Sequence, residues 1–225
     1  MTKHTRAFAY SPLVAPDSRK ISGLAAAFYD PADPRTVYRF QMQRPGDKSP
    51  IDVEERILAG AFDKAVAADE VMCLYNHAEI LGRRVPGGAK NNLALSISAR
   101  GLEYDCDPPV DHVCDRVVGL IRSEIVTGSS FQFTIREGGV KYRQEPGSKY
   151  LIRELTDLRL HDVAPVDDPA FKAATVGLRT ESRTAEEDQQ ITELLAPVLE
   201  IDQRQWDADR ANALRLQLKF SQSSE

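Results

Sequence analysis

The sequence predicts a fold of the α+β class, with a mainly antiparallel β body, peripheral helices and a helical appendage at the C-terminal end. Many short segments alternate apolar and polar residues, which is typical of half-buried strands. Only two stretches of the body repeat apolar residues at helical spacing. From Arg179 the composition becomes charged and lacks large apolar residues until a new apolar stripe begins at Ile191.

Composition and charge limit the class of protein. The chain has 225 residues, of which 42% are hydrophobic and 28% charged, and this suits one ordinary domain with an appendage. A net charge of -5, without a dense basic cluster, argues against a general nucleic-acid binder. Three cysteines are few and odd in number, which does not suit a disulfide scaffold and favours a reducing compartment. The sequence also has no run of 18 apolar residues, as a membrane-spanning helix would need. From these features together we expect a cytosolic protein that binds neither nucleic acid nor membrane.

The first part of the body predicts two strands and a helix. Residues 1–20 are rich in turn formers, and we expect a loose lead-in. The segment 21–29 (ISGLAAAFY) predicts a strand bounded by Asp-Pro turns, and 37–42 predicts a second strand. In 52–68 apolar residues recur at helical spacing, which predicts a helix although Gly60 weakens its centre.

The second part of the body predicts strands around one clear helix. Residues 71–75 form a short apolar strand that ends at Asn-His, and 93–97 alternate in the manner of a half-buried strand. A single apolar stripe predicts a helix over 109–126. A strand over 129–135 follows it, and 149–163 contains another strand or two.

These elements divide the chain into three regions. The lead-in of 1–20 precedes a body of 21–178, and 179–225 forms the remainder. Within this last region we expect a charged linker over 179–190 and a helical appendage over 191–220.

A histidine, a serine and a carboxylate suggest nucleophilic chemistry. His77 follows an apolar strand at the point where the chain leaves a sheet, which is a common place for functional side chains. Ser130 opens a strand just after a glycine, and Phe131 and Phe133 anchor the opposite face of that strand. A serine nucleophile needs such rigid support and a histidine base. Asp162 supplies a carboxylate in a later strand, so the order His, Ser, acid is compatible with a serine hydrolase.

Metal and phosphate sites find little support in the sequence. Cys106, His112 and Cys114 lie close together, but their spacing matches no usual zinc pattern and a fourth ligand is missing. The glycine-rich segment 85–92 lacks the strand and helix that flank a phosphate-binding loop. We therefore expect no cofactor.

Five short motifs, spread from about Ile21 to Leu178, carry a family resemblance. They are ISGLAAAF, the Gly-Ala-Phe of the expected first helix, the Asn-His of LYNHAEILG, the Ser-Phe-x-Phe of TGSSFQF, and the closing run LHDVAPVDDPA. In this order and spacing they resemble the tailed-phage (caudovirus) prohead maturation serine proteases, which are distant relatives of herpesvirus assemblin.

The resemblance implies an assemblin-like β-barrel, closed or nearly closed, with helices outside it. It also implies that His77 is the catalytic base and Ser130 the nucleophile. Asp162 stands where the family usually has Glu, and Ala164 stands where Ser is common. Because assemblin-like proteases use a second histidine as the third catalytic residue, the neighbouring His161 is an alternative to Asp162.

The choice of third residue depends on which side chain faces His77. On a regular strand His161 and Asp162 point to opposite faces, so only one of them can do so. We expect this to be Asp162, with Leu160 on the same face and Glu154 as a remote third candidate.

The function that the resemblance implies is a serine endopeptidase without a cofactor. Its partners would be the major capsid protein with its scaffold segment, its own chain in autocleavage, and a second copy in a homodimer. It would act in the host bacterial cytoplasm, inside the assembling prohead. Backbone amides or the nearby Arg83 and Arg84 are candidate oxyanion donors. Two other classes remain open, an inactive capsid-assembly or scaffolding protein on the same fold and a hydrolase of small esters, although the chain has no G-x-S-x-G motif.

Overall fold

A computed structural model describes residues 2–46, 49–169 and 183–196. The strands are β1 (His4–Phe8), β2 (Leu13–Val14), β3 (Ile21–Ala27), β4 (Val37–Gln43), β5 (Pro50–Ile57), β6 (Val71–Tyr75), β7 (Glu79–Arg84), β8 (Leu93–Ser98), β9 (Gly101–Cys106), β10 (Gly128–Ile135), β11 (Val140–Gln144), β12 (Leu151–Leu155) and β13 (Leu158–Val166). The helices are α1 (Asp63–Ala68), α2 (His112–Arg122), α3 (185–196) and a short 3-10 helix, Pro34–Thr36.

The strands form three sheets. One has five strands in the order β1-β10-β13-β6-β7, and the other two have the orders β11-β12-β5-β4 and β2-β3-β9-β8. Most neighbours are antiparallel, but β13 pairs with β6 and β12 pairs with β5 in parallel. The prediction of a mainly β fold with a few helices is confirmed. None of the three sheets closes on itself within the described residues, so the expected closed barrel is not found there.

The chain divides into two compact units. All strands, α1 and α2 belong to the first unit, which takes in 1–43 and 50–182, whereas α3 belongs to the second. No helix in the described ranges is long and apolar enough to span a membrane.

The main core of the first unit lies against one face of the five-stranded sheet. Phe131 and Phe133 of β10 are fully buried, with ring centroids 5.1 Å apart. Phe62, just before α1, meets Phe131 edge to face at 5.5 Å. Aromatic pairs of this kind add to the stabilisation from burial. The core thus fixes the position of β10, the strand that carries Ser130.

The N-terminal segment is a structural strand, and the expectation of a loose lead-in over 1–20 is wrong in this part. β1 pairs along its whole length with β10. Arg6 is buried, and its Nε and Nη2 donate to the two carboxylate oxygens of Glu55 at 2.5 and 3.0 Å. Arg153 Nη1 donates to the same carboxylate at 2.8 Å. These charge-assisted hydrogen bonds attach β1 to the β5 sheet.

Of the segment 52–68, which was expected to form one helix, only the last part is helical, as α1. The first part is β5, whose charged residues are buried because they are paired. Glu55 pairs with Arg6 of β1 and Arg153 of β12, and Arg56 pairs with Glu54 of the same strand and with Glu145, which follows β11. A sequence pattern treats charged residues as exposed, so it cannot reveal a buried strand that depends on ion pairs from elsewhere in the chain.

Several other predicted elements are confirmed with small shifts of their ends. The strands expected over 21–29, 37–42, 71–75, 93–97 and 129–135 are β3, β4, β6, β8 and β10. The 149–163 segment contains β12 and the first part of β13. The predicted 109–126 helix is α2, which begins one residue after Asp111 because the carboxylate of Asp111 accepts from the amides of Val113 and Cys114 at 2.9 Å.

The C-terminal helix begins earlier than expected. α3 starts at residue 185, inside the range 179–190 that the sequence suggested as a linker. Thr184 and Glu187 form a reciprocal capping box, in which each side chain accepts from the other's amide at 3.2 Å. This motif fixes the start of the helix. The rest of the predicted appendage, from residue 197, lies outside the described residues.

Candidate active site

β10 places Ser130 on the face of the sheet opposite the phenylalanines. Successive residues of a strand point to opposite faces, so Ser130 and Phe131 diverge. Ser130 lies between Ala7 of β1 and Ala164 of β13, which form a small buried cluster with Val166. Ser129 points the other way, where its Oγ lies 3.3 Å from the hydroxyl of Tyr104.

Regular pairing of β10 with β13 as far as Gln132 and Asp162 places Asp162 on the same face as Ser130, and a β-bulge lies beside it in β13. Gln132 of β10 pairs with Asp162, whereas the next residue, Phe133, pairs with Leu160, so His161 is the extra residue. The bulge allows Leu160 and Val163, three positions apart, to enter the same core. Leu160 therefore faces the core, and the expectation that it shares a face with Asp162 is wrong.

His77 lies in the tight turn between β6 and β7. Asn76 and His77 have φ angles of 52° and 59°, and the amide of Ala78 donates to the carbonyl of Tyr75 at 3.0 Å. Positive φ at both central residues is typical of hairpin turns whose twist matches the strands. This conformation is uncommon outside glycine, although asparagine and histidine adopt it more often than most residues. It costs about 1–3 kcal/mol at such a residue and needs support from the surroundings.

The three side chains form a hydrogen-bonded chain. His77 Nδ1 lies 2.6 Å from Asp162 Oδ1, and His77 Nε2 lies 2.7 Å from Ser130 Oγ. Asp162 and Ser130 are buried, whereas the side chain of His77 remains 17% exposed. The carboxylate can only accept, so Nδ1 carries a proton and Nε2 is free to accept one from the serine. This arrangement can deprotonate a serine hydroxyl as it attacks a carbonyl.

The structure adds one group that the sequence did not indicate. The hydroxyl of Ser130 also lies 2.8 Å from the main-chain carbonyl oxygen of Arg6, to which it can donate. The hydroxyl proton therefore has two acceptors, the Arg6 carbonyl and His77 Nε2. Arg6 could not be found from its sequence context, because its role depends on a main-chain atom of a strand that only tertiary pairing reveals.

The alternative third residues lie elsewhere. His161 Nε2 lies 3.3 Å from Thr134 Oγ1 and does not bond to His77. Burial, with the charges of Lys3 and Arg159, lowers the pKa of His161 below its usual 6.5. Glu154 accepts from Arg143 Nε at 2.6 Å.

The two arginines that the sequence suggested as oxyanion donors bind partners at a distance from His77, Ser130 and Asp162. Arg83 pairs with Glu70, and Arg84 donates to the main-chain oxygens of Val66 and Asp69 at the end of α1. Both arginines lie at the end of the β6–β7 hairpin opposite the His77 turn. Neither guanidinium group is therefore placed to donate a hydrogen bond to an oxyanion beside Ser130.

Metal chemistry has no cluster to support it in the described ranges. No group of three or more His, Cys, Asp or Glu side chains there could hold a metal ion.

The sequence matches one family of known proteins. The profile of the family described as caudovirus prohead serine protease matches residues 38–190, a range that includes His77, Ser130 and Asp162. No curated protein and no solved structure matches the chain. Since the matched range covers more than half of the sequence, the chain belongs to the caudovirus prohead serine protease family, whose members are bacteriophage proteases of capsid maturation.

Proposed function

We propose that the chain is a serine endopeptidase that cleaves the scaffold segment of the major capsid protein, and its own chain, during phage head maturation. One observation carries the proposal: His77 bridges Asp162 and Ser130 with hydrogen bonds of 2.6 and 2.7 Å in a member of this protease family. The reaction would take place inside the assembling prohead.

The first half of the proposed reaction forms an acyl-enzyme. Ser130 Oγ attacks the scissile carbonyl carbon, and its proton passes to His77 Nε2. Asp162 keeps the other proton on Nδ1 and stabilises the imidazolium. When the tetrahedral intermediate collapses, the C–N bond breaks and His77 gives the Nε2 proton to the leaving amine.

The second half regenerates the enzyme. His77 Nε2 takes a proton from water, whose oxygen attacks the ester carbon of the acyl-enzyme. The ester bond breaks, and Ser130 Oγ recovers its proton from His77. One peptide bond and one water are consumed, and one carboxylic acid and one amine are released.

The shorter acid is compatible with this role. The family position usually holds Glu, and Asp162 lacks one methylene. The parallel pairing of β13 with β6 at Asp162 and Met72 brings the backbone close enough for a 2.6 Å contact with His77.

The experiment that tests the proposal uses the full chain and its cognate major capsid protein. We expect new termini in the capsid protein, mapped by mass spectrometry, and labelling of Ser130 by a fluorophosphonate. The Ser130→Ala variant should give neither. A wild-type chain that binds the capsid protein but is neither labelled nor cleaves it would instead support an inactive assembly protein.

A further inference from the structure

The turn that carries His77 is tied to the segment that follows β13. Asn76 Nδ2 donates to Asp167 Oδ2 at 3.0 Å, and the amide of Asp167 donates back to Asn76 Oδ1 at 3.2 Å. The amide of Asn76 donates to the carbonyl of Pro165 at 3.1 Å. Both edges of the Asn76 side chain and its main chain are thus fixed to one short stretch of chain.

Asp167 connects this turn to the strand of the nucleophile as well. Its second carboxylate oxygen accepts from the hydroxyl of the buried Tyr75, at the end of β6. Its main-chain oxygen accepts from Thr127 Oγ1 at 3.3 Å, just before β10 begins. Asp167 itself follows β13, the strand of Asp162. The three segments that carry the candidate catalytic side chains therefore meet at one residue.

Tyr75 is a hydrogen-bond donor in this group. Burial, together with the hydrogen bond to Asp167, raises the pKa of Tyr75 to about 12, so the phenol keeps its proton and acts as a donor. Asn76 and Asp167, in contrast, lie on the exposed surface. A substitution at either position leaves the core in place, so an effect on rate can be separated from an effect on folding.

We propose that Asn76 and Asp167 are positioning residues that hold the strained His77 turn, and hence Nε2, at Ser130. The inference rests on the proposed serine protease function. Neither residue contacts Ser130 Oγ or His77 Nε2. Their effect is to keep His77 in the left-handed conformation from which it reaches Ser130 Oγ, and a base displaced by about 1 Å loses on the order of a hundredfold in rate.

An exchange of the two side chains tests the pair directly. Asn76→Asp places two carboxylates side by side, and we expect the fluorophosphonate labelling rate of the full chain to fall about 10- to 100-fold. Asp167→Asn should keep its rate within about threefold of wild type, because the amide can donate to Tyr75 Oη and accept from Asn76.

The double variant Asn76→Asp/Asp167→Asn restores a donor opposite every acceptor. The new amide donates to the new carboxylate, and Tyr75 donates to the amide oxygen. We expect it to recover the rate of Asp167→Asn to within about threefold, as interacting pairs are strongly non-additive. A merely structural surface pair would change the thermal midpoint without this pattern of rates.

Peptide cleavage gives a second readout. We expect Asn76→Asp to lower kcat with KM unchanged, because His77 acts in the chemical step and not in substrate binding. Wild-type rates in a folded Asn76→Asp, or a double variant no faster than Asn76→Asp, would overturn the inference. If Asn76→Asp does not fold, Asp167→Ala takes its place against Asp167→Asn, and equal rates of these two would overturn it.

The two proposals fail in different ways. A wild-type chain that is not labelled at Ser130 contradicts the protease function itself. Normal wild-type labelling together with a fully active Asn76→Asp contradicts only the positioning role of Asn76 and Asp167.

Discussion

His77 Nε2 lies 2.7 Å from Ser130 Oγ, across 53 positions of the chain, and it does so from a backbone with a φ of 59°. The contact therefore depends on an unusual turn and not on the strands alone. β6 brings the chain to the edge of the site, and the turn at Asn76 and His77 reverses it so that the imidazole points back to β10.

Two adjacent serines give a matched test of the nucleophile. Ser130→Ala should fold normally and lower cleavage by about four to six orders of magnitude. Ser129→Ala removes a hydroxyl on the core side, where it lies 3.3 Å from Tyr104 Oη, and should cost about 1 kcal/mol of stability with little loss of rate. Cleavage rates and urea unfolding of both variants check this. Loss of activity in Ser129→Ala, with activity retained in Ser130→Ala, would show that Ser129 is the nucleophile.

The acid is tested by two neighbouring substitutions. Asp162→Asn should leave His77 with the wrong tautomer and lower the cleavage rate by about 10⁴-fold, as in related triads. His161→Gln should cost less than about tenfold, because it removes only a weak hydrogen bond to Thr134. Rates of both variants measured side by side decide the matter. An inactive His161→Gln variant together with an active Asp162→Asn variant would show that His161 is the third catalytic residue.

Two glycines should respond in opposite ways to a methyl group. A Cβ at Gly128 would overlap Pro169 and lie 3.0 Å from the carbonyl oxygen of Phe8, so Gly128→Ala should destabilise the fold by about 1–3 kcal/mol and slow the labelling of Ser130. Gly119 lies in α2, where such a Cβ would have open space outside the backbone of its own helix, and Gly119→Ala should stabilise by about 0.5–1 kcal/mol. Thermal unfolding and labelling rates check both. A Gly128→Ala variant as stable as wild type would show that Pro169 moves without cost.

Acid stability should depend on Glu55. Burial raises its pKa, but the charges of Arg6 and Arg153 outweigh this and hold it below the usual 4.5. The contribution to stability is therefore complete above pH 4.5 and is lost as pH falls through the lowered pKa. We expect the free energy of unfolding of the wild type to fall as the pH drops below 4.5, measured by urea denaturation.

Glu55→Gln provides the matching variant for this prediction. It removes the counter-charge that the buried Arg6 and Arg153 share and should cost about 3–5 kcal/mol at pH 7, with a flatter decline in acid. Glu137→Gln, at an exposed position, is the control and should follow the wild type. A wild-type pH dependence in Glu55→Gln would assign the acid sensitivity to other carboxylates.

The residue types and their order were enough to predict much of the site. An apolar strand ending at His77, a serine on a strand with phenylalanines on its other face, and a later carboxylate are local features, and local periodicity reports which face of a strand is buried. The same reasoning predicted β3, β6, β10 and α2. It could not give distances, since these depend on which strands become neighbours.

The mainly β class and the three side chains proposed for catalysis follow from the order of residues along the chain. How these side chains meet depends on the strands that the fold makes neighbours. The bulge at His161 overrides strict alternation along β13, so that Leu160 enters the core while Asp162 turns toward His77. Likewise β5 carries buried charges because Arg6 and Arg153 arrive from distant parts of the chain. A period of two or 3.6 describes a face of an isolated element, whereas a bulge or a buried ion pair is stable only through the neighbours that the fold supplies.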